Sequence, residues 1–325
     1  HWGPITQHSI ILMVGAVVVV FLHNVPYKWF QVFPVFLYPI SLVLLAFVTL
    51  MGIITGDRVN GAARWMTFMG LQFQPSELAK MAVIIAVSFI LSKRQDEEGA
   101  NPKAFKYIMI LTGLVLILIA PENLSTAMLL FGVVFMMMFI GRVAAKKLLL
   151  LAGGLILIGA LGVGTVVAIP AKTLHSTPGL HRLETWQNRI KGFFDKDEVP
   201  AAKFDIDKDA QIAHARIAIA TSHVFSDFIF AIVIEEMGLI GGIFVVFLYL
   251  WLLMRAGRIA QKCERTFPAF LVMSIALLLV SQAILNMMVA VGLFPVTGQP
   301  LPLVSKGGTS TLINCAYIGM ILSVS

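Results

Sequence analysis

Charge is what this sequence has least of. Asp, Glu, Lys and Arg make up 13% of its 325 residues, 17 of them acidic and 24 basic. Soluble domains carry about 25% charged residues, so a water-facing globular fold is excluded. Cysteine is nearly absent as well. Cys263 falls in a basic loop and Cys315 in an apolar segment, a pattern that argues against a disulfide framework and leaves the redox compartment open. No secretory signal peptide is visible, and the chain opens on His1 rather than Met, so a missing N-terminal segment is expected. What fills the space is apolar: 58% of the residues, with a mean hydropathy of +0.90. The expected fold is all-α, a polytopic transmembrane helical bundle, with residues 1–325 forming a single integral membrane domain. The net charge of +7 is spread over loops, and no nucleic-acid partner is expected.

Runs long enough to cross about 30 Å of hydrocarbon lie near 9–23, 33–54, 75–92, 105–120, 124–141, 147–169, 227–254, 268–293 and 309–325. The boundary at "APENL" (120–124) reads either as a tight extramembrane turn or as a broken helix. Basic residues set the orientation. One set of short loops and flanks carries Lys28, Lys93, Arg94, Lys103, Lys106, Arg142, Lys146, Lys147, Arg255, Arg258, Lys262 and Arg265. The opposite short loops carry Arg58, Arg64 and Lys306, so the first set is predicted to be cytoplasmic. The long polar segment 170–226 is then an extracytoplasmic loop. Within it, Leu183, Trp186, Ile190 and Phe193 recur at helical spacing, which fits an interfacial amphipathic helix or a packing helix on the bundle equally well. The acidic stretch "FFDKDEVPAAKFDIDKDAQ" reads as a solvated loop before it reads as a metal site.

Polar residues break the apolar pattern in a few places, all on the predicted external side. In "QFQPSELAK" (72–80), Pro75 and Ser76 suit a helix start, preceded by Gln74, and Glu77 and Lys80 share a face three residues apart. That pair either neutralises itself at the interface or lines a functional cavity. "NGAARW" (60–65) brings Arg64 and Trp65 to the same side. "GLFPVTGQPLPLVSKGGTS" (292–310) sets three prolines and four glycines between two apolar runs, including Thr297 and Lys306. Irregular backbone at membrane depth must be satisfied by protein or a cavity, so this segment is expected to be a re-entrant, cavity-lining loop. Its paired glycines precede Thr309 and Ser310 at a helix start, a place that suits an anion such as phosphate. Finally, "FSDFIFAIVIEEMGLIGG" (225–242) carries Asp227, Glu235 and Glu236. Counting 1.5 Å per residue down from Asp227 places the two glutamates about 12 to 13.5 Å deeper, with at least one facing the bundle interior.

"NGAARWMTFMGLQFQPSELAK", "SDFIFAIVIEEMGLIGG" and "GLFPVTGQPLPLVSKGGTS", in this order, resemble the SEDS proteins (shape, elongation, division, sporulation), with the division branch, FtsW, nearer than the elongation branch, RodA. The resemblance implies ten helices in the full chain against nine runs here. It implies a glycosyltransferase that polymerises lipid II at the outer face of the bacterial inner membrane, at the division septum if FtsW-like. Its implied partners are a class B penicillin-binding protein transpeptidase and other divisome membrane proteins. By the resemblance, Asp227 is the catalytic base. Arg64, Lys80 and Lys306 hold pyrophosphate charge, Glu77 orients Lys80, and Thr309 and Ser310 complete the substrate site. Trp65, Gln74, Ser76, Thr297, Glu235 and Glu236 are supporting residues. A divalent cation, Mg2+ or Mn2+, fits such a leaving group; no protein metal site is assigned. The sequence departs from the family where Ser222 runs straight into His223, a junction at which a Gly-rich loop is expected, and at Lys306, where an aromatic is usual. A lipid II flippase, or a scaffold that activates the transpeptidase, is the competing reading. The absence of an evident inverted repeat favours the enzyme over the flippase.

Overall fold

The computed structural model describes residues 3–54, 66–68, 71–97, 99–168, 187, 229–291, 293–294, 298–305 and 308–325. Among these, nine α-helices form: α1 (Gly3–Asn24), α2 (Phe33–Ile54), α3 (Pro75–Lys93), α4 (Pro102–Ile119), α5 (Leu124–Ile140), α6 (Ala145–Ala168), α7 (Ile229–Lys262), α8 (Thr266–Ala290) and α9 (Gly308–Val324). All nine expected runs are therefore helical. Six of the helices are long and apolar enough to cross a membrane, and α1, α5 and α9 contain shorter apolar stretches. Two short antiparallel ribbons accompany them: β1 (Met66–Phe68) with β2 (Leu71–Phe73), and β3 (Gln95–Asp96) with β4 (Gly99–Ala100).

Local sequence fixes several helix ends. Pro75 and Pro102 occupy the first turns of α3 and α4, where a missing N–H costs nothing. Asn101 caps α4 by accepting from Lys103 N at 3.0 Å, and Asn123 caps α5 by accepting from Thr126 N at 3.2 Å. The second cap resolves "APENL". Glu122 N and Asn123 N both donate to Ile119 O, so α4 closes in a tight turn and α5 starts afresh.

The loops expected to be cytoplasmic gather at one end of the bundle. Ser92 Oγ pairs with Thr266 Oγ1 at 2.9 Å, Gln95 Nε2 donates to Gly141 O at 2.8 Å, and Lys147 Nζ donates to Pro102 O at 3.4 Å. At the same end Arg94 stacks over Tyr107 at 4.4 Å, and His23 Nδ1 donates to Leu322 O at 3.0 Å. These contacts make up the basic end, and the described parts of the polar motifs, 72–80, 298–305 and 308–310, lie at the other.

The core runs along α3 and α8. In their membrane-length stretches 72% and 61% of residues are buried, against 6% in α6, which packs on α5 alone among its principal neighbours. Ser88 Oγ and Ser274 Oγ, 2.9 Å apart, join α3 to α8 within the apolar interior. Helix α1 lies along α9, and Gly319 permits the approach: a Cβ there would meet Val19 O at 3.1 Å. Cys263 and Cys315 are free thiols.

Helix α7 departs from expectation. Its 34 residues form two helical stretches that meet at a kink, and Arg255, Arg258 and Lys262 lie on a helical extension, not in a loop. The uncharged helical stretch from Leu239 to Met254 spans about 24 Å and ends at Arg255. Glu235 and Glu236 lie on the other side of that kink, and both are exposed on the surface of the chain. The expectation that one of them faces the bundle interior is not met, because both carboxylates sit on an exposed face of α7. Just past them, Gly238 adopts φ 68°, ψ −173° and kinks the helix. That region is essentially reserved for glycine and costs other residues about 1–3 kcal/mol. A Cβ at Gly238 would have no neighbour within 4 Å, so the penalty is purely one of backbone conformation. Gly238→Ala is expected to lower the melting temperature in detergent by several degrees; an unchanged melt would contradict the kink.

Candidate functional site

At the non-basic end the structure builds a buried polar seam from α3, α5, α8 and the segment before α9. Glu77 lies in the first turn of α3, where its charge favours the helix dipole. One turn on, Lys80 Nζ lies 2.8 Å from Glu77 Oε1. Glu77 is 2% exposed and Lys80 fully buried. Charges so deep must be paired and hydrogen-bonded. A second acceptor comes from α8: Lys80 Nζ donates to Gln282 Oε1 at 3.3 Å.

From Gln282 the seam continues into the loop. Gln282 Nε2 donates to Pro300 O at 3.0 Å, and Asn286 Nδ2, one turn along the same face, donates to Gln299 O at 2.7 Å. Gln299 Nε2 in turn donates to Thr126 Oγ1 at 2.7 Å, reaching the capped start of α5. Tyr249 of α7 donates its hydroxyl hydrogen to Pro302 O, and Ser305 Oγ accepts from Leu301 N at 2.7 Å. Gln282 lies eight residues, about 12 Å, inside the end of α8 at Ala290. The loop 298–305 therefore dips into the bundle, as the re-entrant reading expects, with its carbonyls satisfied by amide and phenol donors. Its turn is tight. Leu303 adopts φ 66°, which a non-glycine residue holds only where the surroundings over-determine it.

Unpartnered hydroxyls cluster in the same elements. Among the described residues, Ser76 Oγ, Thr309 Oγ1 and Tyr317 Oη are buried without a hydrogen-bond partner. Ser76 and Thr309 sit in the first turns of α3 and α9, and α9 packs against both α3 and β2. Buried polar atoms of this kind want a water or a ligand. Ser310, next to Thr309, is buried. A small, partly open cleft adjoins Ser76, with Thr49, Gln74, Glu122 and Asn123 on its polar wall.

The expected site residues divide accordingly. Gln74, Ser76, Glu77, Lys80, Thr309 and Ser310 occupy this end of the bundle. Glu77 pairs with Lys80, as their spacing allows, but Lys80 is buried between Glu77 and Gln282 and does not present its charge to a ligand in this structure. Glu235 and Glu236 stand apart on the surface of α7. Asp227, Arg64, Trp65, Thr297 and Lys306 lie outside the described residues, as do segment 170–226 (Gln187 excepted) and the amphipathic stretch within it. No group of three or more His, Cys, Asp or Glu side chains that would hold a metal occurs among the described residues. Sequence reasoning missed Thr126, Tyr249, Gln282, Asn286 and Gln299. The available signal was the pair of amides spaced i,i+4 in "VSQAILNMM", an otherwise apolar helix.

A helical bundle of this kind, with a polar seam that closes on a re-entrant loop, defines a polytopic integral membrane protein. The chain belongs to the FtsW/RodA/SpoVE family of cell cycle proteins, whose model matches residues 2–325. A probable peptidoglycan glycosyltransferase FtsW from Trichlorobacter lovleyi is 31% identical over 338 residues, covering 98% of this chain and 82% of the relative. Its counterpart in a Geobacter species is 32% identical over 317 residues, covering 92% and 79%. Among solved structures, a chain from a study of the structural coordination of polymerization and crosslinking by a peptidoglycan synthase complex superposes with a TM-score of 0.74 and 26% identity, covering 99% of this chain and 89% of that one. The rod shape determining protein RodA of Thermus thermophilus matches with a TM-score of 0.68 and 26% identity, covering 98% and 86%.

Proposed function

We propose that this chain is a peptidoglycan glycosyltransferase of the division type, which joins lipid II molecules into glycan strands and releases undecaprenyl pyrophosphate. The observation that carries the reading is the polar seam and re-entrant loop at the end opposite the basic loops, in a chain whose relatives are named as such transferases. The positive-inside rule makes the basic end cytoplasmic, so the seam opens towards the outer face of the bacterial cytoplasmic membrane, at the septum for a division enzyme. A class B penicillin-binding protein is the expected partner, in keeping with the synthase complex to which the chain is similar.

The chemistry is an inverting displacement. The acceptor 4-hydroxyl attacks the donor anomeric carbon, the bond to pyrophosphate breaks, and one base takes the hydroxyl proton. Asp227, two residues ahead of α7, is the base. Arg64 and Lys306, with the first turn of α9 at Thr309 and Ser310, hold the phosphates. A divalent cation, Mg2+ or Mn2+, would be held by the substrate's own phosphates with one or two carboxylates.

The test is direct. The purified protein, with its transpeptidase partner blocked by a β-lactam, is given labelled lipid II in liposomes, and glycan strands are expected on a gel. Lipid II that crosses the bilayer without being polymerised would sink the enzyme reading in favour of a flippase.

A further inference from the structure

We propose that Gln282 is a positioning residue that ties the Glu77–Lys80 pair to the re-entrant loop, so that the pair acts on the reaction through Pro300 rather than by touching substrate. This inference rests on the polymerase reading above. A glutamine offers an acceptor and a donor at one terminus, and here each faces a partner that can do only the opposite. Lys80 can only donate, and the Pro300 carbonyl can only accept. The amide orientation is therefore fixed by its partners. Lys80 is fully buried, with Glu77 and Gln282 as its partners among the described residues.

What the pair does have is a connection. One amide separates it from loop 298–305, and that loop leads directly into Thr309 and Ser310. Asn286 and Gln299 repeat the same device one step along, extending the tie from α8 to α5. Held from these sides, the loop keeps Leu303 at positive φ, a conformation it would leave if released. A shift of about 1 Å in groups that hold a substrate can cost on the order of 10²-fold in turnover, so a loose loop is enough to slow the reaction.

An exchange of chemistry separates positioning from bare stability. Gln282→Glu keeps an acceptor for Lys80 but sets a carboxylate against the Pro300 carbonyl. Combining it with Glu77→Gln restores one buried carboxylate and one buried ammonium. The double variant is expected to melt close to wild type, yet to polymerise lipid II with kcat reduced on the order of 10²-fold and KM little changed, while backbone hydrogen exchange across 298–305 speeds up. Should the swap not fold, Gln282→Met, which removes both hydrogen bonds at similar volume and adds no charge, is expected to melt lower but to show the same fall in kcat, little-changed KM and faster exchange across 298–305.

Recovery of both melting and turnover in the swap would show the pair to be structural and overturn the proposal. So would a rise in KM with unchanged loop exchange, which would place Lys80 on the substrate. Failure of the wild type to polymerise would remove the enzyme reading, while the hydrogen-exchange measurement would still decide whether Gln282 holds the loop.

Discussion

Lys80→Met is expected to destabilise the fold by about 3–5 kcal/mol, because it leaves the buried Glu77 carboxylate without its cation. The geometry makes this the costliest single change in the seam. Glu77 is 2% exposed, and water cannot take over the role of an ammonium held 2.8 Å away. The same logic predicts rescue. Glu77→Gln with Lys80→Met removes both charges, and replacing a buried pair by neutral groups is often close to neutral in stability. The measurement is thermal unfolding in detergent, followed by tryptophan fluorescence or size-exclusion recovery. The single variant should be nearly unrecoverable and the double variant close to wild type. A Lys80→Met protein that melts normally would mean that Glu77 has another partner and that the seam is not organised as described.

Asp227→Asn is expected to lower lipid II polymerisation by about 10²–10⁴-fold, the range over which a positioned general base contributes. Asparagine keeps the shape and loses the ability to take a proton from the acceptor hydroxyl. Since the displacement is single-step, no other group of the chain is assigned to that proton. The readout is the rate of glycan strand formation, with partner binding and melting measured alongside to separate chemistry from folding. Normal polymerisation by this variant would remove the base assignment. Glu235→Gln and Glu236→Gln, on the exposed surface of α7, are expected to leave the rate within about twofold, since the seam is buried and both of these side chains are exposed.

The architecture was legible because lipid imposes a length. A spanning helix needs about 20 apolar residues, and the sequence delivers nine apolar runs, six of them in helices of that reach and three shorter, broken by prolines and basic loops where helices end. The re-entrant loop was legible for a related reason: prolines and glycines between two apolar runs leave carbonyls that only protein can satisfy. The Glu77 and Lys80 pairing followed from spacing. What spacing does not reveal is which side of the pair faces the interior, so Lys80 read as a ligand contact and proved to be sealed. Gln282 and Asn286 escaped notice because a neutral amide barely lowers the apolarity of a 25-residue helix, although two of them one turn apart mark a face that must find donors and acceptors elsewhere. Glu235 and Glu236 were misplaced because a count of 1.5 Å per residue does not say which side of a helix faces out, and both lie on the exposed side of α7.

The span between Lys80 and Gln282 has a consequence for biogenesis. The two residues are 202 positions apart, so at ribosomal speeds of about 5–20 residues per second α3 enters the bilayer roughly 10–40 s before its α8 partner exists. Through that interval the i,i+3 spacing alone keeps the Glu77 and Lys80 side chains together. Closure of the loop on α5, α7 and α8 is then a late event, and the emergence of α9 follows on a site whose first residues were inserted long before.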